Sequence, residues 1–128
     1  MGTLTDTIIA INATSPFNSA QGFEVGDVGE GRATLRLSPR PDALNHAGLV
    51  HAGVTAALLD TVAGYAAASV AGGVVTASMT VNYIAGAKGA VEATAEVLKA
   101  GNKQVFVDAR VREGERLIAT ASVVLLRL

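Results

Sequence analysis

Two periodicities divide the chain. From Phe23 to Leu37 apolar and polar residues alternate, most clearly in Arg32-Ala33-Thr34-Leu35-Arg36-Leu37, where Ala33, Leu35 and Leu37 share a face. Gly26, Gly29 and Gly31 predict a turn or bulge between two strands in this region. The alternation returns in Val74 to Tyr83, Val91 to Lys99, Gln104 to Arg112 and Leu117 to Leu126, with Gly86, Gly89, Gly101, Asn102 and Gly114 in the intervening turns. Between the two strand regions the pattern changes. Ala52 to about Val70 has no proline, is rich in alanine and leucine, and predicts the one substantial helix. Val54, Leu58, Val62 and Tyr65 form its bulky side, while Gly53, Ala57, Asp60, Gly64 and Ala67 form a stripe of small residues around a carboxylate.

The ends of these segments complete the outline. Thr3 to Asn12 predicts a short amphipathic helix with Leu4, Ile8 and Ile11 on one side, interrupted by Ser15 and Pro16. Pro39 and Pro41 open a loop that runs to His51. The order is short helix, two strands, long helix, four strands. Antiparallel strands with one apolar helix to cover a face predict an α+β domain in which the sheet wraps the helix. The chain reads as one domain over residues 1–128, with 1–20 as an N-terminal helix and lead-in.

Composition changes the picture in three ways. Half the residues are hydrophobic and 16% are charged, so self-association to cover apolar surface is expected. A net charge of −1 with scattered Lys and Arg offers no basic patch for nucleic acid. There is no cysteine, which removes disulfides, zinc thiolates and thiol nucleophiles without fixing the compartment. The N-terminal stretch lacks the features of a signal peptide and no stretch reads as a uniform membrane span, so a cytoplasmic protein without a membrane partner is expected. The Asn12-Ala13-Thr14 sequon would matter only in a secreted protein.

The chemistry concentrates between Asn45 and Asp60. Asp60 stands in the most apolar stretch, nine positions after His51, and a carboxylate there needs a partner or a task. A carboxylate is anionic at neutral pH unless burial holds its proton, which suits a base or nucleophile. The start of the long helix carries backbone N–H groups without intrahelical acceptors and the positive end of the dipole, a ready place for a developing oxyanion. Together they point to acyl transfer to water. Eight residues from Ala52 to Asp60 span roughly 12 Å of helix, and one reacting carbonyl needs both groups within roughly 3 to 4 Å. The two halves therefore come from different chains, in a two-fold dimer with two sites.

The spacing N-x5-H-x-G-x6-D, read as Asn45, His51, Gly53 and Asp60, resembles the hotdog-fold thioesterases of the phenylacetic-acid-degradation type. Thr76-Ala77-Ser78-Met79-Thr80-Val81-Asn82-Tyr83 is similar to that family's strand after the helix, and Leu98-Lys99-Ala100-Gly101-Asn102-Lys103 to its later hairpin. The likeness runs from about Phe23 to Leu128. It implies a sheet wrapped around the long helix, dimers that often pair into tetramers, and hydrolysis of acyl-CoA thioesters without metal or cofactor. By the same resemblance Asp60 activates water or attacks the thioester, the Ala52 N–H polarises the carbonyl, Asn45 and His51 orient the thioester or the loop, and Thr76 positions water. Two departures stand out. Ala52 replaces the first of two glycines usual after the histidine, and Ile84-Ala85-Gly86 replaces a Leu-Arg-Pro that would supply a cation for CoA phosphates. Lys88, Lys99 and Lys103 are the remaining candidates for the phosphates.

Other assignments use the same residues. Asp60 can be a structural ion pair or cap, His51 and Asn45 loop braces, and Thr76 an ordinary strand residue. His46, His51 and Asp60 have the ligand chemistry for a metal but are spread along loop and helix. An enoyl-thioester hydratase or dehydratase would use His51 with Asp60 as an acid and base pair across an interface, and the chain could instead be a non-catalytic acyl or CoA-binding module.

Overall fold

A computed structural model describes residues 3–128; Met1 and Gly2, the first two positions of the expected N-terminal segment, lie outside it. Helix α1 (Leu4–Thr14) begins at Thr3, whose hydroxyl accepts from the Asp6 N–H while the Asp6 carboxylate accepts from the Thr3 N–H. The chain does not leave helical structure for good at Ser15 and Pro16. Ser15 caps a second helix, α2 (Pro16–Gln21), and Pro16 fills its first turn, where a missing N–H costs nothing. The same two residues that stop one helix start the next.

Strands β1 (Glu24–Gly29) and β2 (Arg32–Leu37) follow as a hairpin. The loop to residue 51 contains a 3-10 turn (Pro41–Ala43) and leads into helix α3 (Ala52–Ala71). Strands β3 (Val74–Tyr83), β4 (Val91–Ala100), β5 (Gln104–Glu113) and β6 (Arg116–Arg127) complete one antiparallel sheet in the order β1-β2-β4-β5-β6-β3. The sheet wraps α3, as the hotdog fold requires.

Alternation explains the core. Leu35, Leu37, Val105, Val107, Val111, Val123 and Leu125 point inward from the strands and meet Leu58, Leu59, Val62, Ala63, Ala66 and Ala67 of α3, all essentially sealed from solvent. Truncating a leucine such as Leu58 there would cost about 2–5 kcal/mol through lost transfer energy and the cavity left behind. Ala67 belongs to this core and not to the half-buried stripe around Asp60, where Thr61 and Ala68 stand instead. Helix α3 has the length and mean hydropathy of a membrane span, yet it is the helix the sheet encloses.

The edge strand β3 has one irregularity that governs the site. Thr76 pairs with Leu125 and Ser78 with Val124, so Ala77 is an extra residue, a β-bulge. Strict period two would put Thr76 and Tyr83, seven apart, on opposite faces. The bulge restores both to the face that looks at α3. Thr76 thereby lies opposite the inward Leu125, in phase with Met79 and Val81, which pack on the core.

Candidate active site

The loop before α3 is built to present the helix start. Asn45 Oδ1 accepts from the N–H groups of Ala47 (2.9 Å) and Leu49 (3.1 Å), and the Asn45 N–H donates to the Leu49 carbonyl at 2.7 Å. Gly48, at φ +76, makes the reversal that this turn needs. The His51 N–H donates to the Ala43 carbonyl and the Val50 N–H to the Ala87 carbonyl, fixing the helix entry against two neighbouring segments. With both Oδ1 lone pairs engaged, Asn45 braces the loop while its Nδ2 has no acceptor among the described residues.

An accounting of the first four helical N–H groups isolates one donor. Gly53 N–H donates to His51 Nδ1 at 2.8 Å, and Val54 N–H (2.9 Å) and Thr55 N–H (3.1 Å) donate to the His51 carbonyl. Only the Ala52 N–H is left without an acceptor among the described residues, and Ala52 is exposed. Ala52 is an ordinary helical residue without positive φ, so the first family glycine is not needed for its conformation. At Gly53 a Cβ would sit 3.0 Å from His51 Nδ1, so a side chain there would press on that ring.

His51 is thus the cap of α3. Because Nδ1 accepts a hydrogen bond, the proton of the neutral ring sits on Nε2, which makes that nitrogen a donor and not a base. Tyr83 adds a further tie at this end, its hydroxyl donating to the Ala52 carbonyl at 3.1 Å. Asn45, Ala52, Tyr83 and Gly86 line one cavity of about 260 Å³.

Asp60 lies two turns further along α3, half-buried, and faces a different cavity of about 370 Å³. The Thr76 hydroxyl donates to Asp60 Oδ1 at 2.6 Å. Among the described residues the recorded ion pairs are Arg32–Glu96, Arg36–Glu92 and Arg116–Glu113, so no cation neutralises Asp60. His46, His51 and Asp60 do not gather into a ligand set.

Two expected groups are therefore separated within one chain. Asp60 and Thr76 share one cavity; Asn45 and Ala52 share the other, with His51 and Gly53 bonded to each other beside it. The lysines divide as well: Lys88 precedes β4, while Lys99 lies in its last turn of pleat and Lys103 in the loop that follows, all exposed. Lys103 is at the Thr76 end of the sheet, since its carbonyl accepts from the N–H of Arg127, which pairs with Val74.

Sequence reasoning missed the wall formed by the N-terminal helices. Ile8 and Ile11 of α1 and Asn18 of α2 line the Asp60 cavity together with Tyr65, Val74 and Leu125. A buried polar cluster holds those helices on α3. Asn12 Nδ2 donates to the Phe23 carbonyl (2.9 Å), Tyr65 OH donates to Asn12 Oδ1 (2.7 Å), and Asn18 Nδ2 donates to both Asn12 Oδ1 (3.1 Å) and Tyr65 OH (3.3 Å). Burial pushes the Tyr65 phenol above its ordinary pKa, and the hydrogen bond from Asn18 pulls it partly back. Asn12, at 6% exposure, is a structural residue and no accessible glycosylation acceptor. The signal available in the sequence was two asparagines that each follow a large apolar residue, Ile11 and Phe17, which alone does not identify their partners.

Comparison with known proteins identifies the family and the fold. Residues 47–120 match the family model described as Thioesterase superfamily. The chain is similar to a provisionally named esterase of Mycobacterium tuberculosis, 31% identical over 106 residues covering 77% of this chain and 76% of that one. Its structure resembles that of a conserved protein from Pseudomonas aeruginosa (TM-score 0.88, 30% identity, 92% and 98% of the two chains). It also resembles the phenylacetic acid degradation protein PaaI from Thermus thermophilus, solved as a point mutant (TM-score 0.85, 26% identity, 89% and 100%).

Proposed function

Since the chain belongs to the thioesterase superfamily, we propose that it hydrolyses acyl-CoA thioesters to free acid and CoA at a site shared between two copies, with Asp60 from one and the Ala52 N–H from the other. The observation that carries this reading is the separation of an unneutralised carboxylate and an unpaired helix-start N–H into different cavities of one chain.

Strand β3 supports the shared site. It is a ten-residue edge strand with no proline and no charged residue, and it lacks the devices that keep free edges from pairing. Antiparallel pairing of two copies about a two-fold axis near Thr80 sets Tyr83 of each beside the Ala77 bulge and Thr76 of the other. The Tyr83–Ala52 end of one chain then meets the Thr76–Asp60 end of its twin. Lys99 and Lys103 of the copy that supplies Asp60, and Lys88 of the other, are the exposed cations that would meet the CoA phosphates. Phe106 and Leu126 stay exposed on the outer sheet face, apolar surface that a dimer of dimers would cover. No cofactor enters the scheme, and a cytoplasmic location suits a CoA thioester substrate.

In the reaction, Asp60 takes a proton from a water held also by Thr76, and the water oxygen bonds to the thioester carbon. The carbonyl oxygen gains charge and is held by the Ala52 N–H, with Asn45 Nδ2 as a second donor. Collapse breaks the C–S bond, and the thiolate takes the proton from Asp60. Direct attack by Asp60 with a mixed anhydride is the variant of this scheme; hydrolysis in ¹⁸O-labelled water under single turnover, with label found in Asp60, identifies it. A hydratase reading would leave Asp60 as the base and His51 Nε2 as the donor. Thiol release from a panel of acyl-CoAs, compared between wild type and Asp60→Asn, tests the reading; equal rates for a good substrate would reject it.

A further inference from the structure

The Asp60 cavity has a polar end as well as a reactive one. Along α3 it runs from Asp60 to Tyr65, five residues or roughly 7.5 Å of helix rise, between apolar walls that include Ile8, Ile11 and Leu125. At that far end stands Asn18, 8% exposed.

The orientation of the Asn18 amide is fixed by a chain of hydrogen bonds. The Phe23 carbonyl can only accept, so Asn12 must turn Nδ2 toward it and Oδ1 away. Asn12 Oδ1 then receives Tyr65 OH and Asn18 Nδ2, and both hydrogens of Asn18 Nδ2 are used, on Asn12 Oδ1 and Tyr65 OH. Exchanging the amide atoms of Asn18 would set two acceptors 3.1 Å apart. Asn18 Oδ1 therefore points the other way. No donor reaches it among the described residues, and it is not sealed: the one enclosed side-chain polar atom without a partner among those residues is Gln21 Oε1. Asn18 is one of the residues that line the Asp60 cavity.

We propose that Asn18 Oδ1 accepts a hydrogen bond from the far end of the acyl group, so that the enzyme selects short acyl chains carrying a terminal hydroxyl about six carbons from the thioester, the reach that the helix rise between Asp60 and Tyr65 sets. The proposal rests on the acyl group occupying the Asp60 cavity, as the hydrolase reading requires. A cavity of about 370 Å³ stands near the lower end of the roughly 300–1,000 Å³ of small-molecule sites, which fits a short chain. The hydroxyl is discriminated because an apolar pocket without an acceptor would disfavour it, whereas an unpaired acceptor rewards it.

The test compares hexanoyl-CoA with 6-hydroxyhexanoyl-CoA, by kcat/KM and, in parallel, by calorimetric binding of the two non-hydrolysable thioether analogues. Wild type is expected to prefer the hydroxylated member by roughly three- to tenfold in both readouts. In Asn18→Leu, with folding checked by circular dichroism, the ratio should fall below one. A wild-type ratio of one or less overturns the proposal without any variant, and so does a preference that survives in folded Asn18→Leu. If hexanoyl-CoA is hydrolysed with dependence on Asp60 but without preference, the failure belongs to this proposal alone. If neither thioester turns over while the binding preference is present and lost in Asn18→Leu, the polar pocket stands and the hydrolase reading falls.

Discussion

Thr76 Oγ1 and Asp60 Oδ1 lie 2.6 Å apart, a hydrogen bond that ties the edge strand to the central helix and exists only because Ala77 bulges out of the ladder. The bond fixes one rotamer of the carboxylate and leaves its second oxygen for water. Asp60→Asn keeps the shape and removes the base, so thiol release should fall by roughly 10²–10⁴-fold. Thr76→Ala should cost less, on the order of tenfold, and mostly in kcat, because the base remains but its orientation is lost.

Ala52 offers a substitution of unusual selectivity. Proline at the first helical position has the right φ and lacks only the N–H, and His51 before it is already extended at φ −58 and ψ 137. Ala52→Pro should therefore melt close to wild type, yet lose roughly 10²–10³-fold in kcat. Mixed with Asp60→Asn under exchange of subunits, the two inactive proteins should regain about a quarter of wild-type activity, since half the dimers are mixed and each has one intact site. No recovery despite proven exchange would place both groups in one chain.

Thr80 is outward, in the middle of β3. If the two-fold axis passes near it, Thr80→Lys sets two lysines opposite one another and should shift the protein to monomer at micromolar concentration, with activity lost in proportion. Light scattering after gel filtration reads the first effect. A dimeric, fully active Thr80→Lys protein would contradict pairing through this strand.

His51 acts on the helix through Nδ1. Removing a side-chain cap costs about 0.5–2 kcal/mol, so His51→Ala should lower stability by that amount in urea unfolding. His51→Asn returns a capping oxygen and should restore most of it. If His51→Asn also restores hydrolysis, the imidazole is a positioning group and does no proton transfer.

The raised pKa of Tyr65 has a defined signature in alkali. Its neutral form is favoured in the folded protein, so the associated stability is complete below the ordinary phenol pKa of about 10 and fades as pH rises through the higher folded value. Urea midpoints measured from about pH 8 to 11, a window that brackets the phenol, should fall more steeply in wild type than in Tyr65→Phe. Parallel slopes would mean that the phenol titrates freely in the native state.

The strands, the long helix and the line from Asn45 through His51 to Asp60 were legible because each depends on short-range pattern: period two, an uninterrupted alanine-rich run, a fixed spacing. What escaped depends on tertiary pairing. The bulge at Ala77 follows from how β3 registers against β6, and nothing in Thr76-Ala77-Ser78 announces it. Helix α2 escaped because Ser15 and Pro16 read as a stop, although the same pair suits a restart. Asp60 could be singled out, but its exposure could not: the stripe around it includes Thr61 and Ala68 and excludes Ala67, a rotation of one position that sequence periodicity does not resolve.

The polar tie of Asn12, Asn18 and Tyr65 places the lid of the Asp60 cavity in the first twenty or so residues, far upstream of the segment from Asn45 to Thr76. That cavity thus draws on two stretches of the polypeptide, the leading helices on one side and α3 with Tyr65 on the other. Changes in the leading helices would reshape that cavity while leaving the Asp60–Thr76 hydrogen bond in place.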